Sequence, residues 1–148
     1  MKLRTSLAAA GAAVVLGTTG AFVLPAVASA HSASTTLKFT AVQKATVRLS
    51  KTTQGSQETD LNAAGKTIGF DMIYLTITSQ TAGTATANIT VDITGGFLYG
   101  TASVNLKTGV ITNGKVTGGT GAFKGATGTI KVKTISGTKH AVTITYSG

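Results

Sequence analysis

Between Val116 and Ile130, five of fifteen residues are glycines (Gly118, Gly119, Gly121, Gly125 and Gly128), gathered around a single aromatic, Phe123. Ordering glycine costs more backbone entropy than ordering any other residue. A cluster of this density therefore points to chain geometry that side chains forbid: positive φ, bulges and close backbone approach. The run lacks the Gly-x-Gly-x-x-Gly spacing of a dinucleotide site, and it leads into the strand-like Thr129-Ile130-Lys131-Val132-Lys133, not a helix. It is expected to be a corner between two strands, with Phe123 packed as the anchor.

The rest of the chain has strand composition. Threonine supplies 26 of the residues after Ala30, and Pro25 is the sole proline. Apolar residues alternate with polar ones over short segments. Leu37 to Gln43 and Ala45 to Leu49 suggest an opening strand or pair, and Ser50 to Gly65 suggests a polar loop or frayed hairpin. Thr67 to Thr78 is apolar on both parities: Ile68, Phe70, Met72 and Tyr74 on one, Ile73, Leu75 and Ile77 on the other. That pattern predicts a strand covered on both faces. Further strands are expected over Thr84–Thr94, Phe97–Leu106, Val110–Val116, Thr127–Ile135 and Lys139–Tyr146, with turns at Gly95-Gly96, Lys107-Thr108-Gly109 and Ser136-Gly137. No helical stripe of useful length occurs. Seven or eight short, evenly spaced strands predict an all-β domain, either an up-and-down antiparallel barrel or a sandwich.

Residues 1–30 carry the pattern of an export signal: Lys2 and Arg4, an apolar Ala/Gly-rich run from Leu7 to Leu24, Pro25, and Ala28-Ser29-Ala30 as a small-x-small cleavage site. The expectation is a secreted, extracellular domain over 31–148 that is not held in a membrane once the signal is removed. There is no cysteine, so stability must come from packing and strand pairing, which favours a closed sheet.

Charge excludes little. Removing Lys2 and Arg4 from the 13 basic residues leaves 13 − 2 = 11, against four acids. The lysines are spread singly without Trp or an aromatic–basic pattern, so no specific nucleic-acid partner is expected. No His/Cys set has metal spacing, no Gly-x-Ser-x-Gly elbow is present, and Gly65-Lys66-Thr67 has Asp60 where a phosphate loop needs its first glycine. No metal and no cofactor are expected.

Gly118 to Thr129, Gly-Gly-Thr-Gly-x-Phe-Lys-x-Ala-x-Gly-Thr, resembles the hallmark of the allene oxide cyclase/dirigent barrel superfamily. Lys66-Thr67-Ile68-Gly69-Phe70-Asp71, Ile93-Thr94-Gly95-Gly96-Phe97-Leu98 and the terminal strand ending at Tyr146 support it. The resemblance is to the small exported bacterial barrels of that group. It implies an eight-stranded antiparallel calycin-like barrel, often a homotrimer, with an apolar lumen open at one end. The implied activity is cyclase/isomerase- or dirigent-like, by positioning and exclusion of water. The charged residues that plant dirigent members carry are replaced here by Ala122 and Thr127, so no catalytic residue is carried over.

The candidate residues come from the strands themselves. Asp71 shares parity with Ile73 and Leu75; on a lumenal face its carboxyl has a raised pKa and can act as acid, base or acceptor. His140, in phase with Val142 and Ile144, is a candidate proton shuttle at the barrel mouth. Phe70, Tyr74, Leu98 and Tyr99 are candidate ligand-contact residues. Two functions are weighed: a barrel holding an apolar small molecule, with or without steering its reaction, and a non-catalytic extracellular binding or structural barrel. A lumen below ~300 Å³ excludes the first.

Overall fold

The computed structural model describes residues 33–148; the expected signal segment and His31 lie outside the described residues. Eight strands follow in order: β1 (Thr35–Arg48), β2 (Thr53–Leu61), β3 (Thr67–Ser79), β4 (Thr84–Ile93), β5 (Gly96–Asn105), β6 (Ile111–Gly119), β7 (Thr127–Ser136) and β8 (Lys139–Ser147). Each pairs antiparallel with the next, and β8 pairs with β1, from Thr35↔Tyr146 to Val42↔Lys139, so the sheet closes into a barrel. Closure leaves no edge strand, which suits a Val/Ile/Thr-rich chain without edge prolines.

Of the two forms expected for the opening segments, a strand or a pair, they form one long strand, β1, with a register shift between Gln43 and Ala45. Ser50–Gly65, expected to be a polar loop or frayed hairpin, instead contains the regular strand β2, paired along its length with β1 and β3. Its side chains are polar on both faces, so the composition masked an alternation that the barrel uses.

The glycine run is indeed a corner. A single 3-10 turn at Gly121–Phe123 connects β6 to β7 and buries Phe123. Gly121 has φ +58, and a Cβ there would overlap the Gly95 carbonyl oxygen. That carbonyl accepts from the Ala122 N–H at 2.9 Å, and the Phe97 carbonyl accepts from the Thr120 N–H at 2.8 Å. The two glycine motifs, Gly95-Gly96 and Gly118–Thr129, thus meet as one backbone-bonded end of the barrel. At Gly128 a Cβ would strike the Thr145 carbonyl oxygen, so close approach of β7 to β8 explains that glycine.

The core fills this end. Phe39, Leu98, Val116, Phe123, Ala126 and Ile144 are buried together. Phe123 meets Tyr146 edge to face with ring centroids 5.6 Å apart. Above them the inward parity continues along β4 as Ala85, Ala87, Ile89 and Val91. The outward parity of β3, expected to be covered, is exposed: Ile68, Phe70, Met72 and Tyr74 face away from the lumen.

Candidate functional site

Above the Phe123 end the barrel encloses a cavity of about 450 Å³ that reaches the turns between β5 and β6 and between β7 and β8, where Gly109 and Gly137 line it. Its walls are mainly aliphatic: Ile73, Leu75, Ile89, Val91, Val132 and Val142 among them. Alternation puts these residues inside, because successive side chains of a strand point to opposite faces. Along β2 the inward positions run Gln54, Ser56 and Glu58 into the lumen, and Asp60 one step deeper.

The inner end of the cavity is acidic. Glu58 pairs across the ladder with Asp71, and both line the cavity while only 4% exposed. Asp60, next inward on β2, is completely buried. Cross-strand neighbours lie about 5 Å apart at Cβ, so the charges of Glu58 and Asp71 repel strongly in a poorly solvated interior. Burial pushes Glu58 up to about 7, with the Asp71 charge adding to the effect. Asp71 rises to about 8, first from burial, then from the Asp60 charge and a hydrogen bond in which protonated Asp71 donates to Asp60. Asp60 reaches about 7; burial raises it, that same hydrogen bond holds it down, and Glu58 raises it again. Both oxygens of Asp60 and Oδ1 of Asp71 are buried without a hydrogen-bond donor from the rest of the chain, so a proton held between Asp71 and Asp60 is what can satisfy them. The cluster therefore retains protons near neutral pH, poised to give or accept one.

At the other end of the cavity stands His140, half-buried, with Nδ1 3.5 Å from Thr134 Oγ1. Burial lowers its pKa, favouring the neutral imidazole. Every described Lys and Arg is exposed, so no basic side chain from within the barrel answers the acids. Among the described residues no acid/His group is arranged to hold a metal ion.

The candidate residues divide accordingly. Asp71 and His140 both line the cavity, at its inner end and near its turns. Phe70, Tyr74 and Tyr99 do not: they are 47%, 43% and 39% exposed on the outer face, because the outward parity of β3 and of β5 carries the larger aromatics. Leu98 points inward but is buried in the core below the cavity, not in its wall. Glu58 and Asp60 escaped the sequence reading with β2 itself. The available clue was the even-numbered series Gln54, Ser56, Glu58 and Asp60, a period-2 polar run on one face.

No protein-family model and no curated protein sequence matches the chain. Among solved structures, a pyocyanin demethylase superposes with a TM-score of 0.57 at 14% identity, covering 76% of this chain and 100% of that one. The barrel fold is shared. At that identity the likeness extends to the fold alone, and the site stands on its own geometry.

Proposed function

We propose that the barrel binds an apolar small molecule in its lumen, with the Glu58–Asp60–Asp71 cluster positioned for proton transfer to or from it. The observation that carries this reading is the aliphatic-walled cavity of about 450 Å³ within the barrel, ending in two buried carboxyls that face into it. The volume falls within the ~300–1,000 Å³ of small-molecule sites, which combine apolar walls with a few convergent polar groups. A carboxyl with a pKa near neutrality is suited to general acid or base work. Two likenesses agree with this: the glycine-motif resemblance to cyclase and dirigent barrels, and a fold neighbour whose name denotes action on a small molecule. Conformer selection and exclusion of water would then do much of the catalysis.

The test is titration with a neutral fluorescent probe, N-phenyl-1-naphthylamine, into the 31–148 domain and two variants. Ala87 is buried in the cavity wall, and Ala87→Phe fills the lumen. Saturable one-to-one enhancement in the parent, abolished by Ala87→Phe and retained by the outer-face variant Met72→Ser, is the expected outcome. Absence of binding by the parent, or equal binding by Ala87→Phe when it is folded by circular dichroism, rejects the lumen as the site.

A further inference from the structure

Taking the lumenal reading as its basis, we propose that the barrel's ligand is a monocationic amine, its apolar body against the aliphatic wall and its protonated nitrogen at the inner end, bonded to Asp71 and Glu58. An apolar cavity alone does not specify a head group. Here the inner end does, through three independent features of the geometry.

The first is chemical. Asp71 is almost completely buried, faces the cavity, and has Oδ1 without a hydrogen-bond partner. An ionised carboxylate only accepts hydrogen bonds, so the complementary group is a donor, and an ammonium brings up to three N–H groups together with charge. The second is electrostatic. The titratable groups facing Asp71 are Glu58 and Asp60 from β2, with His140 of β8 at the far end; β1 contributes Gln43, and β4, β5, β6 and β7 contribute aliphatic side chains. All eleven described Lys and Arg residues are outside. A cation relieves the mutual repulsion of the acids, a neutral head leaves it unchanged, and an anionic head worsens it. The third is the wall beside the acids, which suits an organic cation better than a hydrated inorganic one. Among the described residues no acid/His set is built to coordinate a metal, and the adjoining aliphatic wall matches a hydrocarbon body in place of a hydration shell.

Binding must then be coupled to protons. Below pH ~7 the cluster is largely protonated and has to ionise to hold the cation, so amine affinity rises with pH until the amine itself loses its proton near ~10.

The experiment compares three probes that share one tail, n-octylamine, 1-octanol and octanoate, by calorimetry at pH 8 and pH 6. At pH 8 octylamine should bind about tenfold more tightly than octanol, the scale of one charge-assisted hydrogen bond, and octanoate most weakly. At pH 6, buffers of different ionisation enthalpy should reveal release of about one proton per amine bound. Asp71→Asn should reduce the octylamine preference to within about threefold of octanol. Glu58→Gln provides the same comparison if the first variant does not fold. Octanol binding as tightly as octylamine, or an amine preference that survives both substitutions, overturns the amine assignment and leaves lumenal binding intact. Binding of none of the three overturns the lumenal reading itself.

Discussion

Phe123→Ala is expected to lower the unfolding free energy by about 3–5 kcal/mol, the cost of deleting a buried aromatic and leaving a cavity. Phe123 is 5% exposed and closes the end of the barrel opposite the cavity's turns, packed with Leu98, Ala126 and Ile144 and edge to face with Tyr146. It also projects from a turn whose backbone is bonded to the Gly95–Phe97 segment, so the surrounding main chain has little freedom to collapse into the void. Urea unfolding followed by far-ultraviolet circular dichroism measures this directly. A loss below ~1 kcal/mol would mean that the aromatic is not the anchor of the corner.

The second large effect is on the pH dependence of stability, and its sign is unusual. Paired acids in most proteins have lowered pKa values and stabilise the fold above their unfolded values. Here Glu58, Asp60 and Asp71 rise from 4.5, 3.8 and 3.8 to about 7, 7 and 8. Between pH ~4 and ~8 the native state therefore binds more protons than the unfolded state, and stability falls as pH rises through that window. Below it the penalty is absent; above it the penalty is complete. His140 acts in the opposite sense: its lowered pKa makes the unfolded state the better proton acceptor, so its contribution is lost as pH falls below the ordinary histidine range. Three acids outweigh one half-buried imidazole. Unfolding free energy at pH 9 is expected to be lower than at pH 5 by on the order of 3 kcal/mol, less than the summed shifts because the three acids titrate together beside an open cavity. Asp71→Asn should flatten the profile and be more stable than the parent at pH 9. A profile that rises from pH 5 to 9 in both proteins would show that the acids are not buried as a cluster.

These two expectations depend on features of very different visibility. The corner was legible because glycine reports backbone geometry directly: Gly121 at φ +58 and Gly128 against the Thr145 carbonyl both need the absence of a side chain. Strand β4 was legible from its alternation, where apolar and polar parities separate cleanly. Strand β2 was hidden for the complementary reason. Its inward residues are Gln54, Ser56, Glu58 and Asp60, so the period-2 pattern is present without the hydrophobic contrast that normally marks it. The same inversion misplaced the aromatic contacts. In β3 the bulkier residues Phe70, Met72 and Tyr74 are outside, while Asp71 lies inside with Ile73 and Leu75. Hydrophobicity alone assigns the wrong face there; only closure of the barrel shows which parity is lumenal. Asp71 and His140 could be placed in phase with their aliphatic neighbours from the sequence, but the juxtaposition of Asp71 with Glu58 and Asp60 depends on the β2–β3 register.

That register creates an interior opposite in character to the surface. Lysines cover the outside and three carboxyls without a basic partner sit within. Burying polar groups unpaired is costly, and removing them from a fold that has no use for them would be stabilising. Their position at the end of an open aliphatic cavity is the ground for proposing a site there.

The measurement that bears most directly on this account is intermolecular NOE spectroscopy on methyl-labelled domain with bound N-phenyl-1-naphthylamine. Lumenal occupancy predicts NOEs from the aromatic protons to the methyls of Ile73, Ile89, Val132 and Val142, which line the cavity. NOEs confined to Val47 and Met72, which lie along the outer groove, would contradict it.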